Sequence, residues 1–355
     1  MWTHLQLLPV LESGEETLIG GQAVMEGVMM RAPHSYCIAV RRADGSVVYE
    51  TKPLAKVSEK YPIFKLPMLR GLGTLGQAMS LGIKSLQFSA NIAMEDEAKA
   101  EAALKAAKTG TSVTMLAMNS LAPGVVCSTP AAGSGDGGAA KPFSNMMMAG
   151  QLIFSLAFFV FAYKFVPLWI ATWLSKIWPV LEGRIAFNLV DGVIRILIFL
   201  CFLTAMSRMK DIRRVFEYHG GEHRVVYNFE SGKPVDIATA QSFPTFHPRC
   251  GTSFLITVML ISMAIYTLLP FDGFAAKFAS RIVLLPVIAG LSYEIIRFAA
   301  KRKEGVLMHL LAAPGLWLQR ITTQPPDDQQ TDIAIKALAG AMEEEKRQGG
   351  QLVIA

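Results

Sequence analysis

Three histidines, one glutamate and one cysteine lie in two short stretches of the chain. His219, Glu222 and His223 form the first stretch, in the spacing H-x-x-E-H. His247 and Cys250 form the second stretch and are three residues apart. Zinc accepts both neutral imidazole and thiolate as ligands. The two stretches therefore predict a zinc site, with His219, His223, His247 and Cys250 as candidate ligands.

The spacing of the first stretch matches a hydrolase pattern. In inverted zinc hydrolases, the two histidines of H-x-x-E-H bind the metal ion and the glutamate activates a water molecule. On a helix, His219 and His223 would share one face, about one turn apart. We therefore predict that Glu222 is the general base and that His247 or Cys250 supplies the third metal ligand.

Two other interpretations of these residues stay open. All four candidate ligands could bind zinc in a closed site, so that the metal only stabilises the loop. Alternatively, no metal binds, and the histidines form hydrogen bonds with Glu217, Glu222 and backbone carbonyls. Gly220 and Gly221 weaken the helical interpretation, because two glycines cost roughly 2 kcal/mol of helix propensity relative to two alanines. The motif could therefore lie at a helix end or in a turn.

The composition indicates what holds these residues in place. The chain has 355 residues, of which 52% are hydrophobic and 17% are charged, whereas soluble domains have about 25% charged residues. Long apolar runs account for the difference, and each approaches the roughly 20 residues that a helix needs to cross a bilayer. They lie at about 148–174, 186–206, 252–270 and 281–300. The sequence therefore predicts a mainly α integral membrane protein with about four transmembrane helices and with the lipid bilayer as its partner.

The distribution of basic residues predicts an orientation. The net charge is +6, and the basic residues flank the apolar runs, so we expect membrane topology rather than a nucleic acid partner. The loop at 207–250 and the segment at 301–303 are rich in lysine and arginine, whereas the connections at 175–185 and 271–280 hold few. The positive-inside rule predicts a multi-pass protein of the plasma membrane, with the histidine loop and both termini in the cytosol.

Composition shifts divide the chain into segments. Gly20-Gly21 predicts a turn, and Asp44-Gly45 between β-rich runs at 36–42 and 46–51 predicts a hairpin in a small β unit. The acids after Pro325-Pro326 predict an amphipathic helix that docks on the β unit or on a cytosolic protein partner.

We predict a leader (1–18), the cytosolic β unit (19–66), interfacial and solvated helices (67–108), a flexible linker (109–145), a transmembrane hairpin (146–206), the cytosolic loop (207–251), a second hairpin (252–303), and an interfacial segment with the C-terminal helix (304–355).

Three further predictions concern single residues or short segments. Glu26 is the one acid in its apolar segment, and we expect it to accept hydrogen bonds from turn amides or from Arg31 rather than to face the metal cluster. Asp191 and Arg195 are four residues apart, which predicts an ion pair on one helix face. The apolar piece at 306–318 is too short to cross a bilayer, so we expect it at the membrane interface.

Four blocks of the sequence resemble the YqhQ family of bacterial membrane proteins. They are the segments Gly20 to Arg31, Glu217 to His223, His247 to Phe254 and Pro314 to Thr323. This family is a domain of unknown function that is sometimes described as a predicted metal-dependent enzyme. The resemblance implies a bacterial membrane protein and supports the metal site, but it implies no reaction.

Two functions from different classes follow. The first is a metal-dependent hydrolase with its site on the cytosolic face, in which Glu222 points to an open position beside three converging ligands. The second is a non-enzymatic membrane scaffold or biogenesis factor, in which the histidine and cysteine cluster is structural and the soluble pieces bind a partner. The geometry of the cluster discriminates between them.

Overall fold

The computed structural model describes residues 19–55, 57–108, 145–247, 250–301 and 306–348. The predicted leader, and all but the last residue of the predicted linker, lie outside these ranges. The described chain combines one small antiparallel sheet with helices, so the predicted mainly α fold with an N-terminal β unit is confirmed.

The four strands of the sheet follow one another in the order β1-β2-β3-β4. They are β1 (Gly20–Val24), β2 (Gly27–Arg31), β3 (Ser35–Arg41) and β4 (Val47–Pro53). The hairpin at Asp44-Gly45 is confirmed, and Gly45 has a φ of 84°, which side-chain-bearing residues rarely adopt. The turn predicted at Gly20-Gly21 is wrong, because both glycines pair with β2 as part of β1.

Helices form most of the remaining described chain. They are α1 (Val57–Lys60), α2 (Leu69–Lys108), α3 (Asn145–Val160), α4 (Val166–Ile177), α5 (Arg184–Ser207), α6 (Lys210–Glu230), α7 (Ile237–Gln241), α8 (Gly251–Leu268), α9 (Phe274–Val283), α10 (Leu285–Lys301), α11 (Val306–Thr322) and α12 (Asp328–Arg347). A π-helical turn, Phe161–Phe165, joins α3 to α4, and short 3-10 turns lie at Pro62–Lys65 and Pro179–Glu182.

Three helical stretches among the described residues are long and apolar enough to cross a membrane. They are Ile153–Ile177, Arg184–Ser207 and Gly251–Leu268, and they match the first three predicted apolar runs. The fourth run is bent, because α9 and α10 meet at 52° and pass the same test only as a pair. The fourth predicted run, 281–300, therefore lies mostly in α10 and is a candidate span only together with α9, since the chain bends at Leu284.

The C-terminal helix covers the sheet, as predicted. At its start, the Asp327 carboxylate accepts a hydrogen bond from the Gln330 backbone N–H at 2.6 Å, and the Gln330 side chain accepts one from Asp327 N–H. The apolar face of α12 then joins the sheet and α6 in one core, which includes Val28, Met30, Cys37, Ala39, Tyr218, Val225, Ile333, Ala334, Ala337, Leu338 and Ala341. The sheet is thus fixed to α6, the helix that carries two of the candidate ligands.

Helix α2 connects the sheet to the apolar helices. The two helices predicted within 67–108 are one continuous helix of 40 residues. Near its start, Arg70 donates a hydrogen bond to Glu294 of α10 at 2.7 Å. Further along, Leu81 and Ile92 pack in the core on the sheet.

Helix α11 packs against α8. It continues through Pro314 to Thr322, so the apolar piece at 306–318 is part of a longer helix. A Cβ on Gly315 would collide with Ser253 of α8, which shows how closely the two helices approach. This contact fixes the C-terminal part of α11, which leads into the segment between α11 and α12.

Replacement of Ile333 by alanine should destabilise the fold by about 2–5 kcal/mol, because the side chain is fully buried between α12 and the sheet. The matched control is Ile335→Ala, because Ile335 is only partly buried at the edge of the same core. Chemical denaturation followed by circular dichroism measures both losses. Equal losses in the two variants would contradict the docking of α12.

Candidate metal centre

Helix α6 runs without a break through the H-x-x-E-H motif. The alternative of a helix end or a turn at Gly220 and Gly221 is therefore wrong, and packing explains the two glycines. A Cβ on Gly220 would collide with the backbone oxygen of Gln324, and one on Gly221 would lie 3.4 Å from Pro326. The glycines let the segment between α11 and α12 lie directly on the helix, beside the histidines.

Backbone carbonyls orient both imidazoles of the motif. Nδ1 of His219 lies 2.8 Å from the carbonyl oxygen of Thr322, and Nδ1 of His223 lies 2.5 Å from that of Thr245. A carbonyl oxygen only accepts hydrogen bonds, so each Nδ1 carries a proton and donates it. In the neutral ring the lone pair then lies on Nε2, and this second hydrogen bond is the arrangement common for metal-binding histidines.

Cys250 completes a group of three side chains. It is the residue before α8, and its Sγ lies 3.2 Å from Nε2 of His219. The candidate ligand atoms of His219, His223 and Cys250 all lie within 4.8 Å of one another. The structure thus brings three of the four predicted ligands together, from the histidine loop and from the start of the third apolar helix.

Gln319 holds the segment that carries Cys250. This buried side chain on α11 accepts a hydrogen bond from the His247 backbone N–H and donates one to the His247 carbonyl, both at 2.7 Å. Its amide nitrogen also donates to the Ser253 hydroxyl at 3.1 Å. Because both backbone groups of His247 are bound to α11, this residue, three positions before Cys250, is fixed in place next to α6.

The side chain of His247 lies beside the group of three rather than in it. Its ring centroid is 4.4 Å from that of Tyr227 and 5.6 Å from that of His223, and its Nε2 is 3.5 Å from Oε2 of Glu230. Burial, together with the charge of His223, lowers the pKa of His247 to about 3, so the ring is neutral at physiological pH. The geometry favours Cys250 as the third ligand, and a metal-binding role for His247 stays a prediction.

Glu222 is buried next to the same group. Its Oε2 lies 3.5 Å from Nε2 of His223. On its other side, a Cβ on Gly21 would lie 2.5 Å from Cγ of Glu222, so only glycine lets strand β1 approach this side chain. The carboxylate therefore lies beside the nitrogen that would bind the metal, within reach of a water molecule there.

His219 and Cys250 form an ion pair in the metal-free chain. Burial lowers the pKa of His219, but the charge and hydrogen bond of Cys250 outweigh burial and raise it to about 9. Burial likewise raises the pKa of the Cys250 thiol, but His219 and His223 together lower it well below its usual value. The two imidazoles thus favour the thiolate of Cys250, which is the form that binds metals.

Glu26 belongs to a different part of the molecule. It lies in the turn between β1 and β2 with a φ of 51°, and its carboxylate binds Arg41 at 2.9 Å and Arg214 at 2.7 Å. The Tyr218 hydroxyl donates a further hydrogen bond to it at 3.2 Å. The predicted partner Arg31 is therefore wrong, and Glu26 ties the turn of the sheet to α6.

Three residues that orient the cluster are not evident from the motif spacing. They are Thr245, Gln319 and Thr322, which act through a backbone carbonyl or a side-chain amide. Gln319 carries the one usable signal, because a polar side chain in an apolar helix needs buried partners. The two threonines act through backbone atoms, so their residue type gives no indication of the role.

The fold and the site together define a helical protein with apolar helices, a small antiparallel sheet and a buried cluster of histidine and cysteine. A family model described as a protein of unknown function (DUF1385) matches residues 66–344. The uncharacterized protein YqhQ of Bacillus subtilis (strain 168) is 30% identical over 318 residues, which cover 90% of each chain. The chain therefore belongs to the DUF1385 family of YqhQ-like proteins. No solved structure matches it.

In metal-free protein, the ionisation of Cys250 should depend on His219. The pKa of His219 is about 9 in the folded chain and about 6.5 in the unfolded chain. The stabilisation of the fold by protonated His219 is therefore complete below about pH 6.5 and is lost as the pH rises through about 9. His219→Ala should therefore shift thiolate formation at Cys250 to higher pH, because it removes the strongest charge that favours the thiolate. Absorbance at about 240 nm, taken as the difference from Cys250→Ser, follows the thiolate. An unchanged titration in His219→Ala would contradict the ion pair.

Proposed function

We propose that this chain is an integral membrane protein that binds one zinc ion through His219, His223 and Cys250 and acts as a metal-dependent hydrolase. The observation that carries the proposal is the convergence of three ligand atoms within 4.8 Å. In this proposal Glu222 is the general base. His247 lies close enough to contribute a further ligand if its ring turns, since it packs against His223.

The membrane assignment rests on the apolar helices. Three of them, and the bent pair α9 and α10, are long and apolar enough to cross a bilayer. Many of their large apolar side chains face outward: Ile153, Phe154, Phe158, Trp169 and Leu197 are each at least half exposed, which lipid would cover. In this proposal, the metal centre, the sheet and both termini lie on the cytosolic face of a bacterial plasma membrane, an orientation that the basic residues around α6 favour.

Alkaline carbonate washing of membranes from expressing cells tests this assignment. A protein held by transmembrane helices should stay in the membrane pellet, because carbonate removes proteins that are held only by charge. Release of the full-length protein into the supernatant would contradict the transmembrane assignment. Such a release would not contradict the zinc site, which metal analysis tests separately.

The chemistry of the site follows from the positions of its side chains. The donor set of two imidazoles and one thiolate suits zinc, which takes three protein ligands in catalytic sites. Bound zinc would act as a Lewis acid toward the substrate and the attacking water. Glu222 would accept the proton of that water, and the carbonyls of Thr322 and Thr245 would keep the two imidazoles in position throughout.

A structural role for the metal is the second candidate function. It is favoured by burial, since the side chains of His223, Glu222 and Cys250 are at most 7% exposed. Zinc bound there would fasten α6 to the start of α8 and so hold the sheet unit on the apolar helices. The scaffold hypothesis also proposes a cytosolic protein partner, but the apolar face of α12 is covered by the chain's own sheet.

Metal analysis of the purified full-length protein tests the zinc site. We expect one zinc ion per chain in the wild type and less than about a tenth of that in His223→Ala and Cys250→Ser, because each variant removes a ligand. Glu222→Gln should keep the zinc, because the proposal gives Glu222 no ligand role. His34→Ala is the control for loss of a histidine, since His34 lies between β2 and β3 and binds Glu345 of α12, away from the cluster. A zinc-free wild type, prepared without chelators, would contradict the site.

The same protein loaded with cobalt separates the two candidate functions. In a hydrolase, one metal position is open, so added azide should bind there and change the cobalt absorption spectrum. In a closed structural site, azide should leave the spectrum unchanged. The second result would overturn the hydrolase proposal and keep the metal site.

A further inference from the structure

The apolar helices enclose a second group of charged side chains, separate from the metal centre. Lys164 lies in the π-helical turn, Asp191 and Arg195 lie on α5, and Arg281 lies on α9. Each of these residues is at most 7% exposed. Charged groups inside apolar helices are costly and commonly mark functional sites.

These side chains form one network around Asp191. Its Oδ2 accepts hydrogen bonds from Arg195 at 2.6 Å and from Arg281 at 3.0 Å, so the predicted ion pair of Asp191 and Arg195 is present. Arg281 also donates to Asn188 at 3.1 Å. The network therefore joins α5 to α9 through a single carboxylate that serves two arginines.

The π-helical turn adds a buried lysine, Lys164, to this network. Such turns are rare and are frequent at functional sites. Here the backbone oxygen of Tyr163 accepts a hydrogen bond from Nε of Arg195 at 3.2 Å, and Nζ of Lys164 lies 5.7 Å from the centre of the Tyr266 ring. No carboxylate in the described part of the chain lies within ion-pair distance of Lys164. The core thus holds two buried arginines and one buried lysine around one buried carboxylate.

A small cavity opens next to this network. It has a volume of about 220 Å³, and its lining includes Arg184, Asn188, Tyr266, Lys277 and Arg281. Cavities for drug-sized ligands are about 300–1,000 Å³, so this one fits only a small molecule or a headgroup.

The acids at the cavity do not cancel the buried positive charge. Glu182 and Asp272 also line it, but both are exposed, so water and salt screen their charges. Arg281 and the other buried cations are not screened in this way. The charge that an entering group meets inside the cavity is therefore positive.

The cavity and the metal centre lie at opposite ends of the apolar helices. Arg184 is the first residue of α5, and Leu269 directly follows α8, whereas Cys250 precedes α8. The 18 residues of α8 span about 27 Å. A ligand in the cavity would therefore not touch the histidine and cysteine cluster.

We propose that this cavity is a binding site for a small oxyanion, namely a phosphate group. Arg281, Lys277 and Asn188 would donate hydrogen bonds to it, and Lys164, when protonated, would strengthen its binding from behind Tyr266. Arginine and lysine are the side chains that bind phosphate oxygens most strongly. The phosphate could belong to a free ion or to the headgroup of an anionic lipid, and the test below separates the two.

The test uses the full-length protein in detergent, in buffer without phosphate and at constant ionic strength. Calorimetric titration with inorganic phosphate measures the free ion, and native mass spectrometry after addition of phosphatidylglycerol or phosphatidylcholine measures the lipid. The variants are Lys277→Met and Lys164→Met, neither of which removes a partner of Asp191. The matched control is Lys176→Met, an exposed lysine on α4.

We expect saturable binding of phosphate, or of phosphatidylglycerol in preference to phosphatidylcholine. Binding should be at least about tenfold weaker in Lys277→Met, which loses a charge-assisted contact with the phosphate. It should also be weaker, by a smaller factor, in Lys164→Met, which loses only a neighbouring buried amine, and unchanged in Lys176→Met. Binding of phosphatidylglycerol alone would assign the site to lipid. Absence of saturable binding of both probes, or equal binding by all three variants and the wild type, would overturn the proposal.

Discussion

The contact on which the candidate site depends joins Nε2 of His219 to Sγ of Cys250 at 3.2 Å. It links α6, which is packed on the sheet and on α12, to the first turn of the apolar helix α8. Gln319 fixes the cysteine side of this contact through the backbone of His247. The Thr322 carbonyl fixes the histidine side. Because both anchors come from α11, that helix sets the distance between the two ligands.

Close packing at glycines makes this arrangement possible. The missing side chains let the backbone of Gln324 lie against Gly220, the side chain of Glu222 against Gly21, and Ser253 against Gly315. A larger residue at any of these positions would push apart two elements that together hold the cluster. The ligands are thus placed by contacts between distant segments, and the same contacts bury the carboxylate beside them. This explains why the cluster can have a defined geometry and a low thiolate pKa without a bound ion.

The parts of the structure that follow local rules could be predicted from the sequence. Asp44-Gly45 specified its hairpin, the acids after Pro325-Pro326 specified the start of α12, and the H-x-x-E-H spacing specified a shared helix face. Long-range packing decided the rest. The propensity cost of Gly220 argued against a helix, but the gain from close approach of Gln324 outweighs it. In the same way, the partners of Glu26 come from β3 and α6, which no local pattern could indicate.

The central claim is that two imidazoles and one thiolate bind a single metal ion. X-ray absorption at the zinc edge of the purified wild-type protein tests it most directly. We expect one sulfur neighbour at about 2.3 Å and imidazole nitrogens at about 2.0–2.1 Å. In Cys250→Ser, any zinc that still binds should lack the sulfur neighbour. A spectrum of the wild type that contains only oxygen and nitrogen neighbours would contradict the claim.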